Sequence, residues 1–223
     1  MLKPLLLAEL MSGAVAAQAD TGTPPTLPAL DADLRADPGG APFVLLFPSV
    51  QTWVGVPFQL VATAAGNTSL IDGLLDIPVG VFGVTAAYTL INSGFGLFGT
   101  KNGSVEFFGT TAHHKVDLVQ GQNIRDCLNN VFNNVIDGVN AVPAFTSGAV
   151  RMDQQIFNLP AAFASESLVS IRSTGLNLGN PGGVAFITAA PVAVATPVPG
   201  PDNALLLISG GLAGLAWRRR TCA

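Results

Sequence analysis

Oxygen-bearing side chains that could ligate a metal ion are densest in the segment that begins at residue 123. Asn123, Asp126 and Asn129 lie there, and Asn130 follows directly. Carboxylate and amide oxygens are the ligands that Ca²⁺ takes in proteins. The same residue types also form turns and cap backbone N–H groups. The segment is therefore a candidate calcium site, with turn formation and capping as the alternative interpretation.

The two histidines of the chain are adjacent, and an aspartate follows them at position 117. Neighbouring side chains on a β-strand point to opposite faces, so His113 and His114 are not placed to bind one ion together. A zinc site needs three or four ligands. We therefore expect exposed histidines on a strand or loop, with a weak metal site as the alternative.

Groups that could carry acid–base or nucleophilic catalysis are sparse. The sequence has no G-x-S-x-G motif, and neither histidine has a recognisable partner for a catalytic triad. Glu106 and Glu166 are the glutamates between residues 20 and 199, whereas glycoside hydrolysis needs two carboxylates placed around one bond. The sequence therefore predicts a protein that is not an enzyme.

Three glycines form a G-x-G-x-x-G, the spacing found in dinucleotide-binding loops. They are Gly94, Gly96 and Gly99. A dinucleotide site needs a helix directly after this motif, to offer its N-terminus to the pyrophosphate. Residues 100–103 instead predict a turn that leads into a strand. We therefore expect the glycines to shape a hairpin loop and to bind no nucleotide.

The elements that must position these residues are short runs of β-branched and aromatic residues separated by turn signals. Predicted strands cover Phe43–Phe47, Pro57–Thr63, Val79–Ile91, Val105–Phe108, Lys115–Val119, Gln155–Leu159, Leu168–Thr174 and Val184–Ala189. Predicted turns lie at 66–67, 92–94, 101–103, 120–121 and 180–183. Gly80 and Gly83 predict a bulge or bend inside the third strand. This spacing predicts a mostly-β, jelly-roll-like β-sandwich over residues 43–196.

One stretch departs from the strand pattern. Between residues 123 and 142 the apolar residues fall at helical spacing, at Leu128, Val131, Phe132, Val135 and Ile136. The stretch is also rich in asparagine, which favours loops. We therefore expect either a short helix or a long asparagine-rich loop.

The charge of the chain indicates which partners it can bind. Between residues 20 and 199 the chain has six Lys/Arg and twelve Asp/Glu, a net charge of −6. With no basic stripe, nucleic acid is not an expected partner.

Cys127 and Cys222 are the two cysteines, and they lie on opposite sides of the membrane if the terminal segment spans it. No disulfide framework is expected, and Cys127 is either a buried hydrophobe or a free thiol.

The terminal 26 residues have the layout of a membrane anchor. A Pro-rich turn at 198–201 precedes fourteen uncharged residues at 204–217, and Arg218, Arg219 and Arg220 follow. An uncharged helix can enter lipid, and arginines stay on the cytoplasmic side. Fourteen residues span about 21 Å, less than the roughly 30 Å hydrocarbon core, and arginine snorkelling recovers part of the deficit. The alternative is a short buried helix in a soluble domain.

The N-terminal segment has the parts of a secretory signal peptide. Lys3 supplies a positive charge, residues 5–15 are apolar except for Glu9, and Ala17 and Ala19 form a small-x-small cleavage site. We expect a signal peptide at 1–19 and a flexible leader at 20–42. The alternative is an amphipathic first helix.

The segment 197–223 resembles the PEP-CTERM sorting signal of Gram-negative, biofilm-forming bacteria. That signal combines a Pro-Glu-Pro motif, a short apolar helix and an arginine cluster. Val198, Pro199 and Pro201 match the motif, and Gly200 stands where the family has glutamate. The resemblance implies sorting by a membrane transpeptidase of the exosortase type, which cuts at the motif and releases the upstream domain.

Four further segments resemble an ectodomain that recurs with such tails and has no assigned chemistry. They are Ile77–Gly96, Gly103–Gly109, Lys115–Cys127 and Ser170–Ala190. Together the resemblances imply an exported protein of the cell envelope or extracellular matrix, with a structural or adhesive role. It would be single-pass in the inner membrane with a periplasmic ectodomain, or released to the cell surface. Its expected partners are the lipid bilayer, the exosortase-type enzyme and extracellular polysaccharide. The alternative is a calcium-assisted polysaccharide-binding module.

Overall fold

A computed structural model describes residues 49–60, 68–71, 73–130, 133–175, 184–188 and 193–195. In these ranges the chain is mostly β, with one short 3-10 helix at Ala161–Ser165 and no α-helix. The strands are β1 (Ser49–Trp53), β2 (Val56–Leu60), β3 (Thr68–Ile71), β4 (Gly73–Phe82), β5 (Ala86–Gly94), β6 (Lys101–Gly109), β7 (His113–Val119), β8 (Ala141–Ser147), β9 (Val150–Asn158), β10 (Ser167–Gly175), β11 (Val184–Thr188) and β12 (Ala193–Ala195).

The strands form three antiparallel sheets. β1 and β2 pair as a hairpin, and a four-stranded sheet has the order β4-β10-β6-β7. The third sheet has the order β3-β11-β5-β9-β8, and β12 also pairs with β5. From β4 onward the chain crosses repeatedly between the two larger sheets. Strands that are adjacent in sequence therefore often lie in different sheets.

The two larger sheets share one apolar core. Its members from the four-stranded sheet are Leu75, Ile77, Val105, Phe107, Leu118, Leu168 and Ile171, and those from the other sheet are Ala87, Ile91 and Phe157. Phe107 and Phe157 meet across the core, with ring centroids 5.2 Å apart. Full burial of a valine, leucine, isoleucine or phenylalanine side chain stabilises a fold by about 1.5–3 kcal/mol. The sheets are therefore held face to face by these residues.

β5 and β9 are buried on both faces. Ile91 points into the shared core, whereas its neighbour Leu90 packs with Phe58 and Met152 in a second core. Alternate residues of a strand point to opposite faces, so the β1–β2 hairpin covers the side of β5 and β9 that faces away from the four-stranded sheet. This explains why both strands carry almost uninterrupted runs of buried residues.

Several predicted strands are confirmed. The segments Val105–Phe108, Lys115–Val119 and Leu168–Thr174 lie within β6, β7 and β10. Gln155–Leu159 matches the second half of β9, whose first half the prediction missed. The prediction also missed β1 and β3, which begin with polar residues, β12, which has three residues, and β8, which contains Pro143.

The single strand predicted at Val79–Ile91 is wrong, because two strands occupy it. β4 ends at Phe82 and β5 begins at Ala86, and they belong to different sheets. The predicted bend is present. Gly80 and Gly83 have φ values of 71° and 76°, a region that favours glycine, and the pairing of β4 with β10 shifts register between Leu168 and Ser170.

The turn predicted at 92–94 is wrong, because these residues end β5. Asn92 and Ser93 are fully buried. The Ser93 amide donates to the Arg125 carbonyl, and the Cys127 amide donates to the Ser93 carbonyl. The polar residues that indicated a turn instead pair this strand end with a loop that lies more than thirty positions further along the chain.

The turn predicted at 101–103 is also wrong, because these residues begin β6. A register shift between Lys101 and Gly103 marks a bulge at Asn102, whose side-chain amide donates to Gln120 Oε1 at 2.8 Å.

The hairpin predicted around the G-x-G-x-x-G at Gly94, Gly96 and Gly99 is also wrong. β5 and β6 lie in different sheets, so residues 95–100 form a crossing between sheets.

The stretch at 123–142 contains no helix in the part that is described. Residues 123–130 and 133–140 form a loop with isolated bridges, and β8 begins at Ala141. The turn predicted at 120–121 is confirmed at Gly121, whereas Gln120 forms an isolated bridge with Ile124. Of the two expectations for this stretch, the asparagine-rich loop is therefore the one observed.

Several predictions concern residues outside the described ranges. These are the signal peptide with Ala17 and Ala19, the leader at 20–42, the strand at 43–47, the turns at 66–67 and 180–183, and the segment 197–223. Among the residues described, no helix has the length and apolar character needed to cross a bilayer.

Candidate ligand-binding cleft

A buried ion pair fixes the loop that follows β7. Asp153 of β9 is fully buried, and the Arg125 side chain is 11% exposed. Arg125 donates from Nε and Nη2 to the two carboxylate oxygens at 2.8 and 2.6 Å, and from Nη1 to the Asn134 carbonyl at 2.7 Å. This two-pronged geometry is the strong form of the interaction. It ties two points of the loop, at residues 125 and 134, to β9.

Side-chain amides join β5 and β9 where the two strands stop pairing. Backbone pairing ends at Leu90 and Gln154. Beyond that point the Gln155 amide accepts from the Ile91 N–H and donates to the Ile91 carbonyl, both at 2.7 Å. Asn92 Oδ1 accepts from the Asp153 N–H at 3.0 Å, and its amide donates to the Asp153 carboxylate at 2.9 Å. These side chains replace the backbone hydrogen bonds that β5 and β9 no longer make to each other, because buried backbone N–H and C=O groups need hydrogen-bond partners.

A second arginine, Arg151 of β9, binds the same loop. Arg151 is 2% exposed and donates to the carbonyls of Asp126 and Asn133 at 2.8 Å. It also donates to the side-chain oxygens of Asn129 and Asn134. Burial lowers the pKa of Arg151, and the nearby Arg125 charge lowers it further. The loop is thus organised around a buried cation with neutral partners.

The three residues of the candidate calcium site hydrogen-bond to the chain. Asn123 accepts from the Val119 N–H and donates to the Asp117 carbonyl, each at 2.8 Å. Asp126, which is 1% exposed, accepts from the amides of Phe95 and Leu128. Asn129 accepts from Arg151 at 3.3 Å. These contacts correspond to the capping alternative, and the described ranges hold no group of three or more His, Cys, Asp or Glu side chains that could share an ion.

The two histidines point to opposite faces of β7, as predicted. His113 lies on the outer face, 3.1 Å from the Glu106 carboxylate, with its ring stacked on Phe108. His114 lies on the inner face, with its ring stacked on Phe107 at a centroid distance of 6.2 Å. They therefore take part in different contacts and do not form one site.

A row of alternating charges crosses the outer face of the four-stranded sheet. Asp76, Arg172, Glu106 and Lys115 are opposite one another on β4, β10, β6 and β7. Arg172 contacts Asp76 at 2.7 Å, and Lys115 contacts Glu106 at 2.9 Å. The Lys115 hydrogen bond lowers the pKa of Glu106. Because such exposed pairs contribute little to stability, we interpret the row as a solvated face.

A cleft of about 240 Å³ opens on the other side of β7, between this strand and β9. Polar lining comes from His114 and from the amides of Asn123, Asn140 and Asn158, and apolar lining comes from Val116, Ile156 and Phe157. The two strands supply five of these residues, and the loop held by Arg125 and Arg151 supplies Asn123 and Asn140. A concave site of apolar walls with a few convergent polar groups is the usual form of a small-ligand site.

The sequence singled out His114 and Asn123 for other reasons and missed the remaining cleft residues. Asn158 follows the buried Phe157 at the end of β9, and Asn140 directly precedes β8. Both are asparagines at strand ends, which on sequence alone are indistinguishable from turn residues. Asn140 and Asn158 come together in one cleft only because of the way the two sheets pack, and a local sequence pattern does not predict that packing.

Glu166 joins three segments near the start of β7, whereas the loop network follows the end of that strand. Its carboxylate accepts from Thr111 N, Thr111 Oγ1 and Ala112 N, each at 2.9 Å, and its carbonyl accepts from the Gly83 amide. Burial alone would raise the pKa of Glu166, but these hydrogen bonds together lower it. The carboxylate therefore favours the folded state while it is ionised.

The Glu166 contact predicts an acid dependence of stability. Because the folded pKa lies below the ordinary value of 4.5, the contribution is complete above that pH and is lost as pH falls through the folded pKa. Glu166→Gln is expected to lower the melting temperature near neutral pH and to leave a shrinking difference below 4.5. Thr111→Val removes the hydroxyl donor but keeps both N–H donors, so its melting temperature near neutral pH should lie between those of wild type and Glu166→Gln. A difference between wild type and Glu166→Gln that does not change with pH would contradict this role.

Comparison with protein-family models gives no match for this chain, and comparison with curated proteins also gives none.

Proposed function

We propose that this chain is an exported protein of the bacterial envelope or extracellular matrix, with an adhesive or structural role. Residues 1–19 act as a signal peptide, and residues 197–223 hold the protein in the inner membrane or are cut by an exosortase-type enzyme. Support comes from the small-x-small site at Ala17 and Ala19 and from the uncharged stretch before Arg218, Arg219 and Arg220.

We further propose that the ectodomain is a jelly-roll-like sandwich over residues 43–196. The repeated crossing of the chain between two antiparallel sheets that share one core supports this assignment. In such folds the loops and rims carry recognition, because a packed scaffold holds them in place. The loop after β7 fits that arrangement, since Arg125 and Arg151 fix it.

The observation that carries the adhesive role is the cleft between β7 and β9. Its wall combines three amides and an imidazole with apolar side chains, and its supporting loop is anchored by the Arg125–Asp153 pair. A preformed concavity of this kind binds with little loss of conformational entropy.

The second candidate is a calcium-assisted polysaccharide-binding module. Asn123 favours it, because this residue lies both in the candidate calcium segment and in the cleft wall. An ion bound there would have to compete with the hydrogen bonds that Asn123 makes to Val119 and Asp117. For this candidate, a chelator should abolish binding of polysaccharide.

Cell fractionation with protease accessibility tests the export proposal. The full chain should sediment with membranes and be digested by protease added outside the inner membrane. A variant that lacks residues 204–220 should be released as a soluble exported protein, because the apolar stretch and the arginines are gone. Gly200→Glu, which restores the family motif, should raise the cleaved fraction. A full chain that is soluble in the cytosol and protected from protease would refute the proposal.

A further inference from the structure

We infer that the cleft between β7 and β9 binds one uncharged saccharide unit of a polysaccharide directly, without a metal ion. The inference rests on the proposed function, because extracellular polymer reaches this cleft only if the protein is exported. It adds to that function a site, a ligand class and a mode of contact.

Unused hydrogen-bonding capacity in the cleft is the first argument. In the part of the chain that is described, neither the His114 imidazole nor the Asn158 side-chain amide hydrogen-bonds to another protein group. An amide offers donors and an acceptor, and an imidazole offers a ring nitrogen of each kind or two donors. Hydroxyl groups also donate and accept, so a polyhydroxylated ligand matches both side chains.

The apolar part of the lining is the second argument. Phe157 and Val116 form part of the cleft wall, and the His114 ring is held by its stack on Phe107, with an interplanar angle of 24°. A pyranose presents C–H groups on one face and hydroxyls around its rim. That ligand can therefore cover the apolar wall while its hydroxyls reach the amides, whereas a fully polar solute would leave the wall unmatched.

The charge of the cleft favours a neutral unit over an acidic one. Among the described residues that line it there is no Asp, Glu, Lys or Arg, so a carboxylate or sulfate would find no lysine or arginine to pair with. Just outside this lining, the Asp137 carboxylate accepts a hydrogen bond from the Asn140 side chain at 2.8 Å. The net charge of −6 between residues 20 and 199 also repels polyanions.

The size and rigidity of the cleft indicate a single unit. About 240 Å³ is less than the roughly 300–1,000 Å³ of sites for drug-sized ligands. The walls are fixed, since the Asn123 side chain bonds to β7 and the Asn140 carbonyl accepts from the Ile156 N–H at 2.8 Å. The rest of a polymer would run outside the mouth.

Binding of defined oligosaccharides to the purified full chain tests the inference. Neutral hexose and N-acetylhexosamine oligomers and uronate oligomers are compared by calorimetry, each with calcium and with EDTA. A neutral oligomer should bind. Asn158→Ala should weaken it roughly three- to tenfold, the effect of one lost hydrogen bond, and Asn158→Ala combined with His114→Gln should weaken it further. Gln122→Ala is the matched control, because Gln122 is an exposed amide of the same loop that does not line the cleft.

Each other outcome overturns the inference. Binding that EDTA abolishes would indicate the calcium-assisted module, and binding of uronate oligomers alone would indicate a basic site elsewhere. No binding of any oligomer, or equal binding by the Asn158→Ala and Gln122→Ala variants, would remove the cleft as a saccharide site. All of these leave the export proposal to its own fractionation result, so the two can fail separately.

Discussion

Asp153→Ala is expected to lower the free energy of unfolding by about 3–5 kcal/mol, the usual cost of removing one partner from a buried ion pair. The Asp153 side chain is fully buried, and Arg125 is 11% exposed. The substitution leaves the guanidinium without its carboxylate in a site that water hardly reaches. It also removes an acceptor of the Asn92 amide. Chemical denaturation of the full-length chain measures the loss.

The chain supplies a matched control for this substitution. Arg172 and Asp76 form the same two-pronged pair, with distances of 2.7 and 3.2 Å, but their side chains are 38% and 46% exposed. Asp76→Ala should therefore cost only about 0–1 kcal/mol. Equal losses for the two variants would show that burial does not set the strength of the Arg125–Asp153 pair.

Asp153→Ala should also loosen the loop that the pair holds. The amides of Ser93 and Cys127 bond across the junction of β5 with this loop, and their hydrogen exchange should accelerate in the variant. Amides in β10, which lies in the other large sheet, should be affected much less. Uniform acceleration across both sheets would indicate global destabilisation without a local role in holding the loop.

Gly103→Ala is expected to cost about 3 kcal/mol, the upper end of the range for overpacking. Gly103 lies in β6, between β10 and β7, and an added Cβ would collide with the backbone carbonyl oxygen of Thr174. A backbone atom of a paired strand cannot move without disturbing the ladder. Thermal and chemical denaturation of the full-length chain measure the effect.

Gly94→Ala is the control of opposite sign. Gly94 also lies in a strand, its φ is outside the left-handed region, and an added Cβ would meet no atom within 4 Å. The substitution should be neutral or should stabilise the protein by up to about 1 kcal/mol, because it restricts the unfolded chain. If both alanine variants lost similar stability, the close approach of β10 to Gly103 would not be the cause.

Strands that alternate between core and solvent were predictable from sequence, and the reason is local. In β7, Val116 and Leu118 point inward while Lys115 and Asp117 point outward, a period of two that needs no knowledge of other strands. The same holds for much of β10. β9 is different, because its first half is buried on both faces and includes Arg151 and Asp153. A run that mixes charged and apolar residues does not indicate a buried strand.

The wrong turn predictions have one physical cause. Asn92, Ser93 and Asn102 are residue types that favour turns, and each is buried with a partner far along the chain. Asn92 bonds to Asp153, sixty-one positions away. Local patterns cannot separate an asparagine that shapes a turn from one that replaces a missing ladder bond.

The candidate site was accessible to sequence analysis only in part. Asn123, Asp126 and Asn129 were recognised as a cluster of oxygen-bearing side chains, and the structure shows that they cap backbone groups and contact Arg151. The cleft that Asn123 helps to line is built from β7, β9 and a loop. Because it lies between a strand of one sheet and a strand of the other, its composition could not be assembled before the topology was known.

Export is tested by the intact mass of the protein purified from its native host, separately from membranes and from the medium. We predict an N-terminus at Asp20. We predict a C-terminus either at Ala223 in the membrane fraction or within residues 198–201 in released material. A protein that retains residues 1–19 and residues 197–223 and is recovered only from the soluble cytosol would contradict export, and with it the proposed role.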